Sequence, residues 1–196
     1  MSWFRRKQTG PERMTAVRQA MSDGDLPQLE ALLRAHPDLV RSDLLGQALA
    51  LGQAAALHCL LRHGADPNGL APGSSYLLMA VLERDVSLVR PLLEAGADPG
   101  WADRFGATPL MYAAARDDYE VLTALLAHGA GVHARDQDGE TALMYAAARG
   151  ALRTARGLLE AGADLRARNF DGLSVADRAY DPAMQHLLAT WSHAAG

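Results

Sequence analysis

The chain has 196 residues, enough to bury a sizeable core, and its 49% hydrophobic and 21% charged residues are the composition of an ordinary globular protein. A net charge of −4 argues against a general nucleic-acid binder, which needs a basic face. The lone Cys59 excludes an intrachain disulfide, and no apolar run approaches the roughly 18 residues needed to span a bilayer.

In chain order, residues 1–11 read as a flexible tail. Arg5, Arg6 and Lys7 are followed by no apolar segment, so they do not make a secretion signal, and a cytoplasmic location is expected. Trp3 and Phe4 beside these cations leave membrane-surface contact as the alternative to a solvated tail. Lys7 is the only lysine among many arginines, which reads as the coding bias of a GC-rich bacterial genome.

From residue 12 a repeating pattern begins. The stretch MYAAAR occurs at Met111–Arg116 and again at Met144–Arg149, and Gly106 and Gly139, like Gly129 and Gly162, stand 33 residues apart. A fixed period of that length marks stacked supersecondary units. Extending it divides the chain into units at 12–40, 41–72, 73–102, 103–135, 136–168 and 169–191, with a tail at 192–196. The outer two are atypical, since a terminal unit turns one face to water.

Within a unit each recurring residue has a physical role. Asp103, Asp136 and Asn169 open a turn in which Gly106, Gly139 and Gly172 supply the positive φ. Thr108 and Thr141 then cap a short first helix, with Pro109 at a position where a missing N–H costs nothing. Leu110 and Leu143, with the alanines at 113–114 and 146–147, form its inward stripe. A second helix carries Val121, Leu122, Leu125 and Leu126 at helical spacing, and Gly129, like Gly96 and Gly162, ends it. The second unit lacks the G-x-T-P-L signal, so its turn is predicted to be short or missing, with Asp43 as the cap.

These units resemble ankyrin repeats, whose pattern runs D-x-x-G-x-T-P-L-h-x-A-A, a short turn, then V-x-x-L-L and G-A-D. Residues 103–135 match it best, 136–168 nearly as well and 73–102 fairly. The resemblance covers about 12–191 and implies an all-α solenoid of about six helix–turn–helix units with projecting β-hairpin-like fingers. The concave surface would be lined by finger tips and first helices. Met111, Met144 and Leu78 stand where the family has histidine, so the usual polar tie between repeats is expected to be absent. Ala142 replaces the proline, and Gly150 and Gly157 fall in expected helices, so the fifth unit is expected to be the softest full repeat.

No catalytic constellation is found. His36, His63 and His128 sit at the last turn of a helix, where a cation suits the dipole, and His128 and His133 lack zinc-ligand spacing. Cys59 lies among leucines with no base beside it. Asp136–Gly139 resembles a calcium loop only superficially. No catalytic residue, metal or cofactor is therefore expected.

The resemblance implies a non-catalytic protein-binding module, acting as a regulator, inhibitor or immunity protein. Its partner would be one or more proteins, with no nucleic acid or membrane, and the free chain a monomer. The alternatives are a small-molecule or lipid-headgroup binder, or a host-directed bacterial effector. Candidate contacts are residues the scaffold does not require. At the fingers these are Trp101, Arg104, Phe105, Gln137, Asp138 and Phe170. Along the first helices they are Glu83, Arg84, Tyr112, Arg116, Asp117, Glu140, Tyr145 and Arg149. Tyr112 and Tyr145 either touch a partner or fill space between helices. Arg153 and Arg156 are expected on the convex face.

Overall fold

In the computed structural model, residues 10–194 are described except 41 and 72, and the expectations for Trp3, Phe4 and the neighbouring cations lie outside them. The described residues form pairs of antiparallel helices in a row: α1 (Gly10–Asp23) with α2 (Leu26–Ala35), and α3 (Ser42–Ala50) with α4 (Ala54–Arg62). The pairs continue with α5 (Tyr76–Glu83) and α6 (Val86–Glu94), then α7 (Pro109–Ala115) and α8 (Tyr119–Ala127). Next come α9 (Ala142–Arg149) and α10 (Leu152–Glu160), and last α11 (Pro182–Ala194). First helices pack on first helices, α5 on α7 and α7 on α9, while α4, α6, α8 and α10 stack behind them. The expected helical solenoid is thus the observed architecture.

The seam between α7 and α9 is built from alanine. Ala113, Ala114, Ala146 and Ala147 are fully buried, and the absence of longer side chains lets the two helices approach closely. Leu110, Leu143, Leu122, Leu125 and Leu158 fill the layer behind. No single pair could cover these surfaces, so the core is shared between neighbours.

The ends depart from the pattern in the direction the sequence suggests. Between the first two pairs the chain makes only a 3-10 turn at Pro37–Leu39, so no finger precedes α3 among the described residues. In the sixth unit the first helix shrinks to a 3-10 turn at Ala176–Arg178. One finger is a true two-stranded hairpin, with β1 (Leu70–Ala71) pairing β2 (Ser74–Ser75) in antiparallel register. The fingers at 103–107 and 136–140 are tight turns instead.

Of the two glycines behind the expected softness of the fifth unit, Gly157 is helical as expected and Gly150 is not. Gly150 is the cap of α9 at φ 67, a left-handed position that glycine occupies without strain. Gly157 lies in α10, where an added Cβ would stand 2.9 Å from Tyr119 Cε2. Its missing side chain admits the Tyr119 ring, which Arg153 covers at 5.1 Å. Gly157 thus has a packing reason and Gly150 a backbone one.

Polar ties between repeats are also present, at new positions. Met111, Met144 and Leu78 are buried as expected of apolar replacements. The ties run instead through the fingers: Gln137 N–H donates to the Phe105 carbonyl at 2.9 Å, and Phe170 N–H to the Asp138 carbonyl at 2.9 Å. Arg135 Nη1 donates to the carbonyls of Gly139 and Arg168, each at 2.7 Å.

Candidate functional site

Each finger is shaped by its first residue. Asp103 Oδ1 accepts the N–H groups of Phe105 at 2.8 Å and Ala107 at 3.0 Å. Asp136 Oδ1 accepts those of Asp138 at 2.9 Å and Glu140 at 2.8 Å. The second carboxylate oxygen then receives a tyrosine from the first helix of the same unit. Tyr112 Oη donates to Asp103 Oδ2, and Tyr145 Oη to Asp136 Oδ2, both at 2.7 Å. The tyrosines are therefore struts that fix the angle between finger and helix.

The electrostatics follow from these contacts. The hydrogen bond to Asp103, and then burial, push the Tyr112 hydroxyl above its ordinary value. Burial first, and then the bond to Asp136, drive Tyr145 far above it. For Asp103, partial burial pulls upward, but the donors Tyr112, Phe105 N–H and Ala107 N–H outweigh it and hold the carboxyl below its usual range. A depressed carboxyl contributes stability above its unfolded pKa near ~3.9, and that contribution disappears as the pH falls through the lower folded value. Tyr112→Phe is expected to cost about 1 kcal/mol at neutral pH. Urea unfolding across a pH series should show that deficit shrinking below about pH 4. A deficit independent of pH would remove Asp103 as the partner.

Between the fourth and fifth units these parts enclose a groove of about 560 Å³. Phe105, Gln137 and Asp138 line it from the fingers. Met111, Tyr112, Arg116, Tyr145 and Arg149 line it from the first helices, with Ala107 and Ala115 leaving the space open. Seven of the candidate contact residues named from the sequence meet here. Arg104 stands beside them at the finger tip, its guanidinium 4.7 Å above the Phe105 ring.

The remaining candidates are placed elsewhere. Asp117 is not a free concave-face group: it turns the chain at φ 55 and its Oδ1 accepts from Thr154 N–H at 3.0 Å and Thr154 Oγ1 at 3.2 Å. Glu140 is only 8% exposed, and its carboxylate accepts from Arg178 Nη2 at 2.9 Å and from Asn169 Nδ2 at 3.3 Å. Both are internal ties, because each carboxylate reaches across to the next repeat. Trp101 is half-buried in a separate cavity of about 200 Å³ beside Pro67 and Leu77. Phe170 is 74% exposed on the last finger, its ring lying against Gly139. Arg84 pairs with Asp118 at 3.3 Å.

Met111, Ala107, Ala115 and Asp136 also line the groove, beyond the contacts expected from the sequence. The signal that could have marked it is the Asp-to-Tyr spacing shared by 103/112 and 136/145, which couples a finger to its helix. His128 keeps a structural place, its Nδ1 lying 2.9 Å from the Ala124 carbonyl. No helix among the described residues is long and apolar enough to cross a membrane.

Comparison with known proteins agrees with this geometry. A family model for ankyrin repeats matches residues 77–169 in three copies. No curated protein gives a significant match. Ankyrin repeats are in general protein–protein interaction modules. Residues 77–169 are thus consecutive repeats of the ankyrin-repeat family.

Proposed function

We propose that this chain is a non-catalytic binding module that holds a partner protein in the groove between its fourth and fifth repeats, acting as a stoichiometric regulator. The observation that carries this reading is that the groove's rim includes side chains the fold does not use. Phe105 is 55% exposed, and Arg149 has no hydrogen-bond or ion-pair partner among the described residues. An exposed aromatic beside arginines is the residue set that dominates binding energy at protein interfaces.

A photo-crosslinking side chain placed at Phe105, and separately at Arg156 on α10, tests it in the cells that make the protein. One protein is expected to be captured from position 105 and not from 156. The same set of proteins from both positions would overturn the reading. A small-molecule or headgroup ligand is the second reading, favoured by a groove volume within the ~300–1,000 Å³ of ligand pockets. It would give no protein crosslink and a melting temperature that rises with ligand concentration.

A further inference from the structure

The groove carries opposite charges at its two ends. At the finger end the Asp138 carboxylate accepts no hydrogen bond among the described residues, since only its backbone is engaged. The neighbouring Asp136 cannot play the same part, because both its oxygens are occupied by Asp138 N–H, Glu140 N–H and Tyr145 Oη. At the other end, α7 and α9 deliver Arg116 and Arg149 from equivalent positions of adjacent repeats. Arg116 uses Nη1 on the Leu82 carbonyl at 2.7 Å, and Arg149 is unpaired among the described residues. Between the charges the lining offers the apolar Phe105, Ala107, Met111 and Ala115, beside the rings of Tyr112 and Tyr145.

Two lengths limit what fits. Helix α9 has 8 residues, a rise of roughly 10–12 Å, and Asp138 precedes it on the finger, so the acidic and basic ends are separated by at least about the span of three extended residues. The groove also stops at the fifth repeat. Ala107 leaves a space that its counterpart one repeat later, Glu140, fills, and Arg178 stands where a third tyrosine would be. A long or branched surface therefore finds no continuation in that direction.

We infer that the groove captures one short extended segment of the partner, which rests on the protein-binding reading above. The segment presents an acidic side chain to Arg116 and Arg149, an apolar side chain over Ala107, Met111 and Ala115, and a basic side chain to Asp138. The apolar residue supplies contact area. The two charges fix direction, because a reversed segment would set acid against Asp138 and base against the arginines.

A displayed library of random twelve-residue peptides, selected against the full chain, tests this. Enriched peptides are expected to share an acid and a base at least about three residues apart with an apolar residue between them. Arg149→Glu should weaken such a peptide about tenfold, and replacing the peptide's acid by lysine should restore binding to that variant. Asp138→Lys should act in the same way on the peptide's base. Melting curves matching the wild type show that the variants are folded. Enriched peptides without this charge order, or binding that neither variant changes, would overturn the inference. So would failure to enrich any peptide while Phe105 still crosslinks a single protein, and in that case the protein-binding reading stands. Identical crosslinks from Phe105 and Arg156 would instead remove that reading, whatever the peptides do.

Discussion

Replacing Gly106 by valine is expected to lower the stability of the fold by about 2–5 kcal/mol. Two costs combine. Gly106 sits at φ 79, a left-handed conformation that costs a β-branched residue about 1–2 kcal/mol. Its Cβ would also stand 3.0 Å from Gln137 N and 3.1 Å from Asp136 Cα. These are backbone atoms of the next finger, and they cannot swing aside, because Gln137 N–H is held by the Phe105 carbonyl at 2.9 Å. Overpacking of that kind costs a further ~1–3 kcal/mol. Gly129→Val separates the two terms: Gly129 has φ 86, but a Cβ there meets nothing within 4 Å. It should lose only the backbone part, about 1–2 kcal/mol. Urea unfolding of both variants gives the comparison. Equal losses would mean that the fingers do not press on one another, and the groove they wall would lose its rigid support.

That contact also shows where sequence reading reached and where it stopped. The turn-opening Asp103, the positive-φ Gly106 and the Thr141 cap all act within a few residues of themselves, so their roles follow from local backbone chemistry, whereas the expected cap Thr108 makes no such bond among the described residues. Asp117 and Glu140 looked like surface carboxylates for the same reason: nothing adjacent in sequence satisfies them. Their partners Thr154 and Arg178 lie 37 and 38 residues away, one repeat plus a few positions. A period tells which residues stack, but not which side chain leans across the joint. Gly150 and Gly157 failed in the opposite sense. Helix propensity counts a glycine as a loss, whereas one ends α9 and the other makes room for a ring. Trp101 is close in number to the finger tips, while the fold places it beside Pro67 of the second unit and Leu77 of its own.

The ion pair across the last joint carries the other large effect. The side chains of Arg178 and Glu140 are 27% and 10% exposed, and Arg178 Nη2 reaches both carboxylate oxygens, at 2.9 Å and 3.0 Å. Arg178→Ala leaves Glu140 with Asn169 Nδ2 as its remaining donor, at 3.3 Å. Breaking a fully buried pair costs about 3–5 kcal/mol, and water admitted by the partly exposed arginine should reduce this to about 2–3 kcal/mol. In a stack where each repeat touches only its neighbours, the loss concentrates at the damaged joint. Hydrogen exchange is therefore expected to quicken in the Ala176–Arg178 turn and in α11, while α5–α8 keep their protection. The double replacement Glu140→Leu with Arg178→Met should recover most of the stability, since a buried pair is often matched by well-packed apolar groups. A uniform rise in exchange along the whole chain, or a single variant as stable as the wild type, would count against the pair as the fastening of the C-terminal unit. The same substitution bears on binding, because Glu140 is held in the space that would otherwise extend the groove by one repeat. With only the longer Asn169 contact left, the carboxylate should turn outward and add a negative charge near Asp138. Segments with a basic residue at that end should then bind more tightly even as the fold weakens.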